Sequence, residues 1–202
     1  MTVKYPIAGI ATWSINVTYG DIVFLQLRVE DTDNSELLPA GSMTYAGGFG
    51  TGSVNDMGTG EYSVTLDTGT LASNGAYSVD LSWSKAYYDS LFETFTINVI
   101  FETNLFSTDA PGIDVASGNT AYLHLSFEDM FEDPIIGAGI ICNWTESYGI
   151  TPDGLGNYLL SLDTTGMILD VYRILITAYK DFYESRSIIL SVEVRELHTS
   201  AI

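Results

Sequence analysis

An internal repeat constrains the fold of this chain more than any other feature of the sequence. The two halves match in one order across almost their whole length, with two small gaps. The matching positions of the first half are, at a spacing of 98 residues, Gly20, Leu25, Leu27, Glu30 and Asp31; at 96, Gly41, Gly58, Gly60, Tyr62 and Leu66 to Thr68; and at 95, Tyr77, Lys85, Tyr88, Ser90 and Val99. The chain of 202 residues is therefore predicted to hold two related domains, 1–102 and 103–202, with the boundary around Phe101 to Phe106.

Each repeat reads as a series of short β-strands. Apolar residues alternate with polar ones from Val23 to Val29, and the same alternation runs from Ala121 to Phe127. A period of two is typical of strands with one buried face. Turn signals such as Asp153-Gly154 separate these runs, and no helical pattern of usable length occurs. About seven strands in a repeat of about 100 residues predict an all-β fold of two tandem β-sandwiches.

One tyrosine in each repeat stands at a position with structural meaning. Tyr77 and Tyr172 each open a strand directly after a connecting segment. Immunoglobulin-like sandwiches place a tyrosine corner there, in which the hydroxyl bonds to backbone a few residues upstream. An ordinary half-buried strand tyrosine explains the position equally well, so both interpretations stay open.

The motifs resemble those of a known repeat family. The first half contains VTYGDIV at Val17–Val23, GTGEYSVTLDT at Gly58–Thr68, KAYYDS at Lys85–Ser90 and FTINV at Phe95–Val99, and the second half carries the same order. Together they resemble the immunoglobulin-like repeats of large bacterial and archaeal surface proteins. The resemblance covers about nine-tenths of the chain.

The resemblance implies a fold more strongly than a role. Repeats of this kind form stalks or arrays that carry other domains outward, and some are adhesins. Many have glycine before the tyrosine of the lysine-containing loop, whereas Tyr87 and Phe182 stand there in this chain. We therefore expect extra aromatic surface at these two loop tips.

The net charge of −19, from 26 acidic and 7 basic residues, restricts the partners of the protein. Nucleic acid is excluded, because its binding depends on lysine and arginine that neutralise phosphates. Anionic membrane surfaces are disfavoured for the same reason. We expect a solvated acidic surface, with charges near strand edges that oppose side-by-side association.

The chain shows no membrane span and no secretory leader. No apolar run approaches the roughly 20 residues of a membrane helix, and the start, MTVKYPIAG, lacks an apolar core. Any export signal or anchor is expected outside this fragment.

The acidic loops are the candidate metal sites. Glu30, Asp31 and Asp33 follow one strand, and Glu128 and Asp129 follow its counterpart in the second repeat. Calcium prefers six to eight oxygen ligands, several of them carboxylates. The first loop starts like a calcium-binding loop but lacks the required glycine and the final bidentate glutamate. Calcium is thus the one cofactor under consideration, and a hydrated acidic loop is the alternative.

No pattern in the sequence predicts catalysis. His124 and His198 have no partner motif for a catalytic triad or a zinc site. Cys142 is the only cysteine, so no disulfide forms within the chain, and its neighbours predict an inert core thiol. The glycine-rich segment 47–52 precedes no helix and is expected to be a flexible loop or bulge.

Two further groups are weaker candidates. Asn16 and Asn143 begin N-glycosylation sequons. Tyr87, Trp144 and Phe182 are candidates for stacking against a sugar, although most aromatic residues at strand spacing pack in the core.

These observations predict a non-catalytic spacer or array unit of a larger cell-surface or extracellular protein. Its partners are then neighbouring domains of the same chain, with glycans or other surface proteins as further candidates. An adhesin-like or carbohydrate-binding module is the alternative.

Overall fold

A computed structural model describes the backbone of residues 2–7 and residues 14–196 in full. The chain divides into two compact units, Met1–Ile100 and Phe101–Ile202. His198, which the sequence analysis considered, lies outside the described residues.

Unit 1 is a pair of mixed β-sheets. Its strands are β1 (Thr2–Ile7), β2 (Ser14–Thr18), β3 (Ile22–Asp31), β4 (Glu36–Leu37), β5 (Ser42–Gly47), β6 (Gly52–Ser53), β7 (Asn55–Asp56), β8 (Glu61–Asp67), β9 (Gly75–Ser84) and β10 (Leu91–Ile100). One sheet has the order β1-β3-β8-β7, with β4 paired to β3, and the other has the order β2-β10-β9-β5-β6. A single turn of 3-10 helix, Thr68–Thr70, follows β8.

Unit 2 repeats this plan with fewer strands. They are β11 (Thr103–Ser107), β12 (Gly112–Ala116), β13 (Thr120–Asp129), β14 (Gly139–Cys142), β15 (Tyr148–Pro152), β16 (Asn157–Asp163), β17 (Val171–Tyr179) and β18 (Arg186–Arg195). The sheets have the orders β11-β13-β16-β15 and β12-β18-β17-β14. This strand order is that of the immunoglobulin-like sandwich, and the predicted fold class is confirmed.

The core of each unit follows the alternation seen in the sequence. Val23, Leu25, Leu27 and Val29 on β3 are all buried in the first core. On β13 the inward residues are buried in the second core, while His124 faces outward as predicted. Because successive strand residues point to opposite faces, this alternation is enough to assign the inner face of each long strand.

A buried threonine explains why the motif Leu-Asp-Thr recurs. The Thr68 hydroxyl donates 2.8 Å to the carbonyl of Asp21, in the turn between β2 and β3. The Thr164 hydroxyl donates 2.6 Å to the carbonyl of Asn119 in the equivalent turn of unit 2. Both threonines are fully buried, so each bond closes one end of its sandwich.

Both candidate tyrosine corners are confirmed. The hydroxyl of Tyr77 donates 2.6 Å to the carbonyl of Ser73, and that of Tyr172 donates 3.0 Å to the carbonyl of Ile168. Each bond returns to backbone four residues upstream, at the connection between the two sheets.

A second tyrosine lies at the centre of unit 1. The Tyr62 hydroxyl donates 3.0 Å to the carbonyl of Leu38 and accepts from the backbone N–H of Gly41 at 3.0 Å. It also accepts from the indole N–H of Trp83 at 3.0 Å. Tyr62 and Trp83 are both buried, so three polar groups within the core are satisfied by one hydroxyl.

The equivalent tyrosine of unit 2 makes two of these three bonds. The Tyr158 hydroxyl donates 2.6 Å to the carbonyl of Ile135 and accepts from the backbone N–H of Ala138 at 2.9 Å. Ala178 stands where Trp83 stands in the first repeat, so the indole donor has no counterpart.

The two units differ most in the segment that follows β5 in unit 1 and β14 in unit 2. In unit 1 the glycine-rich segment turns back after β5, and β6 pairs with β5 through Thr44 and Tyr45. The turn uses positive φ at Gly47 and Gly50, which glycine adopts without strain. The expected loop is therefore an ordered hairpin, with the ring of Phe49 against Tyr77.

In unit 2 the equivalent segment takes another course. Asn143 to Glu146 replace the glycines, and the chain passes directly into β15, which pairs with β16. Cys142 ends β14 and packs against the second core, but it is half-buried rather than fully enclosed as predicted. Burial nevertheless raises the pKa of Cys142, as expected for an unreactive cysteine.

Candidate functional site

A lysine and a tyrosine brace the loop after β9. The Lys85 ammonium donates 2.8 Å to the carbonyl of Pro39 and lies 5.3 Å from the centre of the Tyr88 ring. The side chain therefore joins two loops at one end of the sandwich. Its charge faces an aromatic ring, which is an attractive arrangement.

Unit 2 contains the same brace after β17. The Lys180 ammonium donates 2.6 Å to the carbonyl of Ile136 and lies 5.5 Å from the centre of the Tyr183 ring. Because lysine and tyrosine recur together with these bonds, the pair belongs to the framework of the repeat rather than to one unit.

Tyr87 and Phe182 occupy the left-handed backbone region that favours glycine. Their φ angles are +73° and +63°. A side chain in this conformation costs roughly 1–2 kcal/mol relative to glycine. The strain gives a physical reason for the glycine that the surface-protein repeats resembling this chain carry here. It also marks both tips as places where an aromatic side chain is kept at a cost in stability.

The two tips differ in exposure. Tyr87 is fully exposed, whereas Phe182 is 39% exposed. In unit 2 the backbone N–H of Phe101 donates 3.1 Å to the carbonyl of Phe182, and the carbonyl of Phe101 accepts from Glu184. The ring of Phe101 also contacts Phe131 and Tyr183 edge-on, with centres 5.3 and 6.1 Å apart. The second tip is thus partly covered by the first residue of its own unit.

Trp144 does not belong to an exposed aromatic platform, which corrects that prediction. The side chain is only 7% exposed. Its indole N–H donates 2.9 Å to the carbonyl of Asp163, and its ring packs edge-on against Tyr172. Burial beside the tyrosine corner makes it a core residue, so Tyr87 and Phe182 alone remain of the three stacking candidates.

The acidic loops use their carboxylates to hold their own backbone. Asp31 accepts from the N–H groups of Asp33 and Asn34 and from the Asn34 side chain. The side-chain bond from Asn34, followed by the backbone bonds, lowers the pKa of Asp31. In the second loop, Asp129 accepts from the N–H groups of Phe131 and Asp133 at 2.9 and 3.1 Å.

The other three candidate calcium ligands do not form a cluster with Asp31 or Asp129. Glu30 and Asp33 are exposed and Glu128 is half-buried. Among the described residues, no three histidine, cysteine, aspartate or glutamate side chains come close enough to hold a metal ion. The described residues therefore form no set of converging ligands that would support the calcium hypothesis.

Both sequon asparagines are exposed, and both use their side-chain oxygen. Asn16 accepts from the Asn98 amide at 2.9 Å. Asn143 accepts from the backbone N–H of Leu175 at 2.8 Å, which continues the pairing of β14 with β17. Glycosylation of either asparagine stays a prediction.

His124 has a partner that the sequence did not reveal. Its Nδ1 lies 3.1 Å from Asp109 Oδ2, which also accepts the backbone N–H of His124 at 2.6 Å. His124 borders an open groove of about 470 Å³ on the outer face of β13 and β16. The nearby Ser126 hydroxyl donates to Asn157 rather than to the histidine, so no Ser-His-Asp relay forms. Asp109 and His124 lie in different segments of the chain, so they become neighbours only through the pairing of strands in the sheet.

Across the described part of the chain, no helix has the length and hydrophobicity needed to cross a membrane.

Comparison with family models gives no match for the sequence, and comparison with curated proteins gives none. Solved structures do match. An I-band fragment of titin aligns at a TM-score of 0.52 and 10% identity, over 90% of this chain and 62% of the fragment. Immunoglobulin domains 1–4 of Sidekick-1 align at 0.54 and 12%, over 93% of this chain and 48% of theirs.

The chain thus spans about three fifths of the titin fragment and about half of the Sidekick-1 structure. At these identities the likeness shows the fold alone, which is two tandem immunoglobulin-like β-sandwiches.

Proposed function

We propose that the two units are a non-catalytic, load-bearing spacer of a larger cell-surface or extracellular protein. The observation that carries this proposal is the parallel pairing of an early strand with the last strand of each unit. β2 pairs with β10 over five residue pairs, and β12 pairs with β18 over five.

This geometry suits a chain under tension. In a parallel pair, the N-terminal end of the early strand and the C-terminal end of the last strand lie at opposite ends of the pair. Force on the two chain ends of a unit therefore slides one strand along the other, and all the hydrogen bonds between them are loaded together. A unit built this way resists extension better than one in which bonds open one at a time.

The features that the two repeats share support the same role. They are framework contacts: the buried tyrosines, the tyrosine corners, the buried threonines and the lysine braces. The natural partners of such a spacer are neighbouring domains of the same chain. The resemblance to bacterial and archaeal surface repeats supports a location at the cell surface.

Single-molecule stretching of the chain tests the proposal. We expect two separate unfolding events, each releasing roughly 100 residues at up to about 3.6 Å per residue. Val115→Pro removes an N–H that faces β18, since the backbone N–H of Ser117 two residues on donates to Arg195. It should lower the unfolding force of one event.

Ala116→Pro is the matched control, because its N–H points away from β18 and the change leaves the Asp114–Arg195 ion pair in place. It should leave both forces nearly unchanged. Extension without resolved force peaks, or equal effects of the two prolines, would refute a load-bearing role for this pairing.

A second candidate function, adhesin-like or carbohydrate binding, is favoured by one observation. Tyr87 is fully exposed and held at positive φ, so its ring is presented to solvent at a cost in stability. A flat sugar face stacks well on such a ring.

A glycan and polysaccharide panel distinguishes the two functions, measured with calcium and then with chelator. Reproducible binding that is lost in Tyr87→Ala or Phe182→Ala would favour the binding module. Tyr122→Ala is the matched control, since Tyr122 is also an exposed aromatic residue but lies on β13, where it pairs with Ser161 and belongs to neither loop tip. No binding by the unchanged chain would leave the spacer as the better proposal.

A further inference from the structure

Strand β14 presents an unprotected edge. It pairs with β17 on one side only, and no strand among the described residues pairs with its other side. Its counterpart in unit 1 is covered, because β6 pairs with β5 there and Gly52 lies tightly against the Tyr45 ring. An uncovered strand edge is a template for pairing with another chain.

The sequence of β14 lacks the charged residues and the proline that commonly block such pairing. The strand reads Gly-Ile-Ile-Cys, and the segment 138–144 contains no lysine, arginine, aspartate, glutamate or proline. Ile141 is 49% exposed at its centre. Elsewhere the net charge of −19 opposes contact between copies, so a neutral edge is where contact costs least. The expectation that charge protects the strand edges is wrong for β14.

Backbone alternation shows which groups are free. The N–H of Asn143 donates to the carbonyl of Leu175 on β17, so Ile141 also directs its backbone groups toward β17. Ile140 and Cys142 then direct their N–H and C=O groups toward the open edge. If a twofold rotation relates a second copy to the first, the N–H groups of one strand face the C=O groups of the other, so all four groups on each strand find partners.

We propose that β14 of one copy pairs antiparallel with β14 of a second copy. Ile140 then lies opposite Cys142 of the other copy, and these two pairs exchange four hydrogen bonds. Ile141 lies opposite Ile141 at the twofold axis, in a non-hydrogen-bonded pair whose Cα atoms are about 4.5 Å apart. The contact area is small, so the association is weak and depends on concentration.

Cysteine cross-linking tests the register. In a Cys142→Ser background, Ile141→Cys places two thiols across the axis at a separation that a disulfide can bridge. We expect a covalent dimer under mild oxidation, in a yield that rises with protein concentration. Ile189→Cys in the same background is the control, because Ile189 is similarly exposed but lies on β18, beyond β17. A yield no higher than that of the control would overturn the proposal.

Sedimentation equilibrium tests the association without cross-linking. Raising the salt from about 10 mM to about 1 M shortens the screening length from about 30 Å to about 3 Å. The average mass should then rise toward twice the monomer mass. Ile141→Lys should remain monomeric and Ile189→Lys should behave like the unchanged chain, with circular dichroism showing that both fold. A monomer at millimolar concentration in high salt would also overturn the proposal.

Discussion

The Tyr62 hydroxyl is the most informative single atom to remove. In Tyr62→Phe the ring keeps its shape, but the carbonyl of Leu38, the N–H of Gly41 and the indole N–H of Trp83 each lose a partner. The tyrosine and the indole are both buried, so water does not replace the lost bonds readily.

The number of bonds sets the expected size of the effect. A buried hydrogen bond contributes about 1 kcal/mol, and somewhat more when its loss leaves a group unsatisfied. Tyr62→Phe should therefore lower the free energy of unfolding of unit 1 by about 3 kcal/mol. Tyr158→Phe removes two bonds and should lower that of unit 2 by about 2 kcal/mol.

Urea unfolding measures both values in one protein. The transitions of the two units are fitted separately, because a single two-state fit is not valid for two domains. Trp83 and Trp144 serve as fluorescence probes of units 1 and 2. A double-mutant cycle of Tyr62→Phe with Trp83→Phe should give a coupling energy of about 1 kcal/mol, from the indole bond. Circular dichroism follows unfolding in this cycle, because Trp83→Phe removes the fluorescence probe of unit 1.

Equal losses in the two units, or a loss below about 0.5 kcal/mol for Tyr62→Phe, would refute this reasoning. Either result would mean that the hydroxyl does not join three polar groups in the core.

Three further predictions concern strain, packing and charge. Tyr87→Gly should raise the free energy of unfolding of unit 1 by about 1 kcal/mol, because glycine adopts φ of +73° without strain; an unchanged urea midpoint would contradict this. Gly41→Ala should lower it by roughly 1–3 kcal/mol, since the added methyl group overlaps the Trp83 indole, whereas Ser42→Ala at the next, exposed position should have little effect. The side chain of Asn157 and then the N–H of Leu155 hold the pKa of Asp153 below its usual 3.8. Because the folded-state pKa is the lower one, the stabilisation is present above pH 3.8 and is lost as pH falls through the folded value. Asp153→Asn should therefore flatten the acid side of the stability curve of unit 2, measured as melting temperature against pH.

Much of the framework was predictable from local patterns. Alternation from Val23 to Val29 assigned the inner face of β3, and the repeat assigned the same face to β13. The position of Tyr77 and Tyr172 after a connecting segment indicated the tyrosine corners, but only the bonds to Ser73 and Ile168 decided between the two interpretations.

The candidate site was less predictable because its properties depend on distant segments. Trp144 follows a strand and precedes a polar loop, which does not reveal that Tyr172 and the Asp163 carbonyl enclose it. Likewise, the sequence predicted extra aromatic surface at both tips, but the different exposure of Tyr87 and Phe182 depends on what lies over each tip.

The sequence by itself determined the two repeats, the β-strands and their inner faces, because a strand shows its buried face in residues two apart. Tertiary structure alone decided that β6 covers β5 while β14 stays open, and that His124 meets Asp109. Those outcomes depend on which strands become neighbours. That choice is made by the packing of the whole sandwich and leaves no periodic signal in the segments concerned.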